Sequence, residues 1–169
     1  MASMNHELPR SVRRVQQALA AAGVDAQVVE LPESTRTAVD AAAAIGCRVE
    51  QIAKSLIFRC TGSGLPVLVI ASGTNRVDER LVAAHLGEPI AKADADFVRA
   101  ATGFAIGGIP PIGHAVPLRT LIDADILKLD TIWAAAGTPN AVFSLDAGQL
   151  TRATGGEVVP VCRPQARPT

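Results

Sequence analysis

The sequence predicts a mixed α/β (α+β) domain, a mixed sheet or barrel-like core surrounded by helices. Three observations carry that expectation. About five helix patterns and six or seven strand patterns interleave without the strict alternation of a doubly wound fold. Of the 169 residues 49% are apolar and 19% charged, enough to bury a real core and too apolar for disorder. Neither an internal repeat nor a linker divides the chain, which gives a single domain over residues 8–163 with flexible tails at 1–7 and 164–169.

The elements follow in order. Val12, Val15, Leu19 and Ala22 recur at helical spacing, and Gly23 stops the run. Residues 26–31 (AQVVEL) read as a strand ended by Pro32. Thr35 or Thr37 caps an Ala-rich helix through Ala44, closed by Gly46. After a turn around Glu50, residues 55–60 (SLIFRC) and 67–72 (VLVIAS) make a hairpin. Asp78 opens a helix ending at Gly87, and Asp94 caps another running to about Ala101. TGFAIGGIPPIGH at 102–114 holds too much Gly and Pro for a helix or a strand interior. TIWAAAG and AVFSL are strands around a Gly-Thr-Pro-Asn turn, AGQLTRATGG is a closing helix, and EVVPV is a last strand.

Composition excludes several classes. One Trp, four Phe and no Tyr leave the core to small aliphatic side chains. No apolar run is long enough to span a bilayer, and the N-terminus lacks the ordered regions of a secretory signal. Cys47, Cys60 and Cys162 lie far apart with neither zinc nor disulfide spacing, the pattern of reduced thiols in a cytoplasm. A formal net charge of zero argues against broad, sequence-blind nucleic-acid binding but leaves room for grip on an RNA end. Arg10, Arg13 and Arg14 could add a small basic patch, although a solvated helix face is the simpler reading.

Lys54 stands in QIAKSLIF at the entry of an apolar strand. A cation there must reach water, pair with a carboxylate or hold a ligand, because burying it alone is costly. The loop from Gly107 through Gly108, Ile109, Pro110 and Pro111 to Gly113 pairs conformational freedom with stiffness. It could turn backbone N–H groups toward an oxygen, as an oxyanion hole does, or be a rigid surface turn. His114 follows directly and Asp123 lies further on; the histidine could be an acid, a base or a brace for the loop. Ser55, Ser72 and Ser144 lie in no nucleophile elbow, the cysteines have no His at a telling distance, and His6 and His85 fit no metal motif. Neither covalent nor metal catalysis is indicated, and no cofactor is expected.

The strand-entry lysine and the Gly-Pro loop, in this order, resemble the YbaK/ProX family of aminoacyl-tRNA deacylases. These are free-standing relatives of the editing domain inserted in bacterial prolyl-tRNA synthetase. The matching stretches are TAVDAAAAIGCRVEQIAKSLIFR, VLVIASGTNRVDERLVAAHLG, ATGFAIGGIPPIGH and LIDADILKLDTIWAAAGTPNAVFSL, and the resemblance runs from about Val12 to Val161. It implies a mixed α/β fold around a curved sheet and hydrolysis of the ester of a mischarged tRNA, with Lys54 holding the substrate's end. Gly107 and Pro111 match the family's G-x-x-x-P loop, so the amides of Gly107 and Gly108 would face the ester carbonyl. Thr37, Ser55, Ile109, Pro110, Pro111, His114 and Asp123 would line the substrate pocket. The implied partners are the acceptor end of aminoacylated tRNA and prolyl-tRNA synthetase, with Ala or a similarly small amino acid on proline tRNA as substrate. A non-catalytic module binding a tRNA end or nucleotide, and an esterase for other small acyl esters, stay open beside it, as does the oligomeric state.

Overall fold

The computed structural model describes residues 7–35 and 37–164. His6 and most of both expected tails lie outside these residues. The elements run α1 (Arg10–Ala21), β1 (Val29–Glu30), α2 (Ala38–Ile45), β2 (Ile52–Cys60), β3 (Pro66–Ser72), β4 (Asn75–Val77), α3 (Glu79–Leu86) and β5 (Ile90–Lys92). They continue with α4 (Ala95–Thr102), β6 (Arg119–Asp123), β7 (Ile132–Ala135), β8 (Ala141–Leu145), α5 (Ala147–Thr154), β9 (Glu157–Val159) and β10 (Cys162–Pro164).

Local chemistry sets the helix limits. Thr37, Asp78, Asp94 and Asp146 each accept a backbone N–H of the first turn, satisfying a donor the helix leaves unpaired. Gly46, Gly87, Gly103 and Gly155 close the same four helices in the left-handed conformation. The strands depart more from expectation. Of residues 26–31 only Val29 and Glu30 pair, because the segment meets just the end of β8. Conversely, β2 starts at Ile52, so Lys54 is its third residue rather than a residue at the entry. Four short strands, β4, β5, β6 and β10, stand where the sequence pattern showed none.

Seven strands form an open path β1-β8-β7-β2-β3-β6-β9, and β5 pairs with the far end of β2. Antiparallel and parallel pairs alternate in blocks: β2 is antiparallel to β3 and parallel to β7, while β3 is parallel to β6. A mixed sheet is therefore the architecture, with five α-helices around it among the described residues. Strand alternation divides β2 between two faces. Ala53 and Ile57 face the main core with Leu68, Ile70 and Ile122, where Val12, Val15 and Leu19 of α1 and Val98 of α4 pack. Ile52 faces the other side, against Ala41 and Ala42 of α2, and Phe58 packs there with Val82 of α3. Lys54 lies on this second face, between two apolar clusters.

A short ribbon completes the frame. Pro160 ends β9, and the chain returns as β10 to pair antiparallel with β4, with Val77 opposite Cys162 and Asn75 opposite Pro164. No helix among the described residues is long and apolar enough to cross a membrane.

Candidate functional site

The central strand is incompletely covered on one edge. Pairing of β7 with β2 stops at Ala53, and pairing of β5 with β2 begins at Phe58. Between them the sheet is split, and a cleft of about 880 Å³ opens there. All seven residues from Ile52 to Phe58 line it, as a strand seen edge-on must. One wall comes from α2 and Trp133, another from Arg76 and Val77 of β4, and a third from Val98, Ile106, Gly107 and Ile109.

Lys54 enters this cleft from β2 and is half-buried. Its Nζ donates to the backbone carbonyl of Asn75. Lysine has three N–H donors, so two remain for a ligand. Asn75 is itself fixed: its Nδ2 donates to Asp125 at 2.9 Å and to Asp123 at 3.2 Å. The other oxygen of Asp123 accepts the N–H of Val161 at 3.0 Å, which ties the β4–β10 ribbon to the sheet. Burial holds the Lys54 ammonium below the usual lysine range, while nearby Cys162 acts in the opposite sense. The same surroundings push the Cys162 thiol up to about 12, first by burial and then through the Asp123 carboxylate.

The Gly-Pro loop is placed by backbone packing. Gly107 has φ 104°, a region that disfavours any side chain, and it lies exposed at the cleft. Gly108 is buried, and a Cβ there would stand 2.7 Å from Cα of Thr138. Its carbonyl accepts the Gly137 N–H at 2.9 Å and its own N–H reaches the Ala105 carbonyl at 3.3 Å. The Gly107 N–H donates to no described residue. Of the two amides singled out from sequence, one is thus engaged and the other is available.

The residues expected at the site divide accordingly. Lys54, Ser55, Thr37, Gly107 and Ile109 line one cleft. Thr37 does so while its hydroxyl caps α2 through the Asp40 N–H at 3.0 Å. Gly108, Pro110, Pro111, His114 and Asp123 stand outside the lining. Gly108 backs onto Thr138, and Pro110 and Pro111 are buried beneath the loop. His114 turns away: its Nε2–H donates to the Pro110 carbonyl at 2.8 Å and its ring meets Phe104 edge-on. Desolvation lowers its pKa, as expected of a neutral brace. Asp123 lies behind Asn75, which it holds from outside the cleft lining. Arg14 covers the Phe104 ring with its guanidinium 5.3 Å from the centroid, and so is not free in the basic patch suggested for α1.

Sequence reasoning missed Asn75, Arg76, Lys92, Trp133 and Thr138. Arg76 and Lys92 are exposed cations on the cleft lining, and that Lys92 is one of three lysines in the chain was the sole available hint. Among the described residues no group of three or more His, Cys, Asp or Glu could hold a metal.

The chain matches known proteins in both sequence and shape. Residues 32–153 match the family model of the aminoacyl-tRNA editing domain, and the chain belongs to that family. A solved structure described as a candidate trans-editing enzyme for prolyl tRNA synthetase is 44% identical, with TM-score 0.87 over 92% of this chain and 99% of its own. Hypothetical protein APE2540 is 27% identical with TM-score 0.83, covering 89% of this chain and 99% of that one. Uncharacterised protein YwhH of Bacillus subtilis (strain 168) is 29% identical over 137 residues, 80% of this chain and 87% of its own length.

Proposed function

We propose that the protein hydrolyses the ester of mischarged aminoacyl-tRNA in trans, acting in the cytoplasm on Ala or a similarly small amino acid carried by proline tRNA. The observation that carries this reading is the cleft itself, where the Lys54 ammonium, the available Gly107 N–H and an uncovered strand edge converge. An aminoacyl ester is already activated, so positioning and oxyanion stabilisation supply most of the rate, a single donor being worth about 3–4 kcal/mol.

In this scheme Lys54 holds the substrate's end through its two remaining N–H donors. The Gly107 amide faces the ester carbonyl. A water oxygen bonds to the carbonyl carbon, the carbon–ribose oxygen bond breaks, and the proton lost by water ends on the ribose oxygen. The products are free amino acid and uncharged tRNA. Trp133, half-buried on the cleft wall, offers a face to the terminal adenine, and Arg76 and Lys92 meet the adjoining phosphates. The domain doing this spans residues 8–163, and prolyl-tRNA synthetase is the partner that would supply further contact with the tRNA body.

The test is amino-acid release from proline tRNA mischarged with Ala, Cys, Ser, Thr or 2-aminobutyrate. Release of one small amino acid well above the others supports the reading and names the substrate. No release from any member, beside an active family control, overturns it in favour of a binding module. Equal turnover of simple acyl esters without tRNA favours a general esterase.

A further inference from the structure

Register decides which backbone groups of β2 face the split. The Gly73 N–H donates to the Ile52 carbonyl at 2.8 Å, and the Cys60 N–H to the Leu65 carbonyl at 2.8 Å. Even-numbered residues of β2 are therefore the ones hydrogen-bonded to β3, because directly opposed pairs alternate between bonded and non-bonded. Odd-numbered residues point their N–H and C=O the other way. Ala53 finds β7 there and Arg59 finds β5. Ser55 and Ile57 lie between, where neither strand reaches. The N–H and C=O of Ser55 and the N–H of Ile57 have no strand beside them. The Ser55 hydroxyl is buried too, without a partner. A strand interior with this many unmet polar groups is costly unless a ligand completes it.

The spacing of these groups defines the ligand. In a parallel pair, one residue of the incoming strand donates its N–H to the C=O of residue i−1 and accepts from the N–H of residue i+1. With Leu56 as residue i, the acceptor is Ser55 and the donor is Ile57. We propose that the aminoacyl group of the substrate binds as a single added residue of a parallel strand, its α-ammonium donating to the Ser55 carbonyl and its ester carbonyl accepting from the Ile57 N–H. This continues the direction of β7, the parallel neighbour that stops at the split. It also supplies a second donor to the ester oxygen beside Gly107, since the Gly108 N–H is engaged. The open stretch is too short for a longer peptide strand, because both ends are closed by β7 and β5. An acyl group lacking the α-amine makes one of the two bonds only.

The inference rests on the deacylase reading but is separable from it. Full-length protein is prepared with Ile57 replaced by its α-hydroxy acid, which deletes this N–H and weakens the Leu56 carbonyl, and with Val69, the β3 partner of Leu56 outside the cleft lining, replaced in the same way as a control. Both changes weaken the bond from the Val69 N–H to the Leu56 carbonyl, so the thermal midpoint of the Ile57 variant should be no lower than that of the Val69 variant. Release from Ala-charged proline tRNA should fall about a hundredfold for the Ile57 variant and less than threefold for the Val69 variant. In the wild type, the Ile57 amide resonance should shift on binding a 3′-alanylamido-adenosine analogue, and a propionyl counterpart should bind at least tenfold more weakly. Wild-type turnover with an undiminished Ile57 variant, an unmoved Ile57 resonance, or a larger loss at Val69 than at Ile57 would overturn the strand-edge mode while leaving the deacylase reading intact. A wild type that releases no amino acid contradicts the deacylase reading instead, and the resonance test then stands alone.

Discussion

The two halves of the site are held by opposite means. Lys54 is positioned by a polar chain, from Asp123 and Asp125 through Asn75 to the ammonium. The Gly107 loop is positioned by close backbone packing of Gly108 on Thr138, with the buried prolines and His114 bracing it. A polar chain fails when one hydrogen-bonding group is removed, whereas a packed loop fails when one atom is added. The first kind of failure disturbs charge and orientation; the second displaces backbone.

That contrast can be broken at either half. Asp123→Ala removes the acceptor for the buried Val161 N–H and one of the two acceptors for Asn75. It should lower stability by about 2–4 kcal/mol, read by urea unfolding, and depress amino-acid release further than the loss of folded protein explains. Unchanged stability would mean that the β4–β10 ribbon is held by its ladder alone. Gly108→Ala places a methyl group against the Thr138 backbone and should cost about 1–3 kcal/mol, read the same way. A neutral result would show that the loop yields freely, contrary to the packing described.

A smaller effect is expected from pH. His114 titrates at 6.5 when unperturbed, and burial lowers it in the fold. Between those values the unfolded chain binds the proton and the folded one does not. Stability carried by the neutral ring is complete above pH 6.5 and falls as pH drops below it. The thermal midpoint of His114→Gln should accordingly decline less on acidification than that of wild type. Smallest of all is the chemistry of Cys162, whose thiol, pushed up to about 12, should alkylate far more slowly at pH 8 than a free thiol does. Rapid labelling would show that the surroundings of Lys54 are wetter than they stand here.

What the sequence made legible follows the same physical divide. Helix limits were readable because caps are local: Thr37 with Gly46, Asp94 with Gly103, each pair lying within one element. Lys54 and the Gly107 loop were conspicuous because a cation in an apolar strand and paired Gly and Pro are local anomalies. Three-residue strands such as β4, β5 and β10 carry too few positions for a period to emerge. Asn75 serves Lys54 through its main-chain carbonyl, which every residue has, so no side-chain pattern could mark it. The open edge at Ser55 and Ile57 depends on where β7 stops and β5 begins, a fact of the assembled sheet. His114 and Asp123 were noticed as chemistry and proved to be support, since a sequence does not tell which way a side chain turns.

The proposed hydrolysis of an aminoacyl ester takes place at the split in the sheet beside Lys54. Its most direct test is the single-turnover rate of alanine release from Ala-charged proline tRNA, for wild type and Lys54→Ala of equal thermal midpoint. The expected result is rapid release by the wild type and a loss of at least a hundredfold in the variant. Equal rates in the two proteins would contradict it and remove Lys54 from the chemistry.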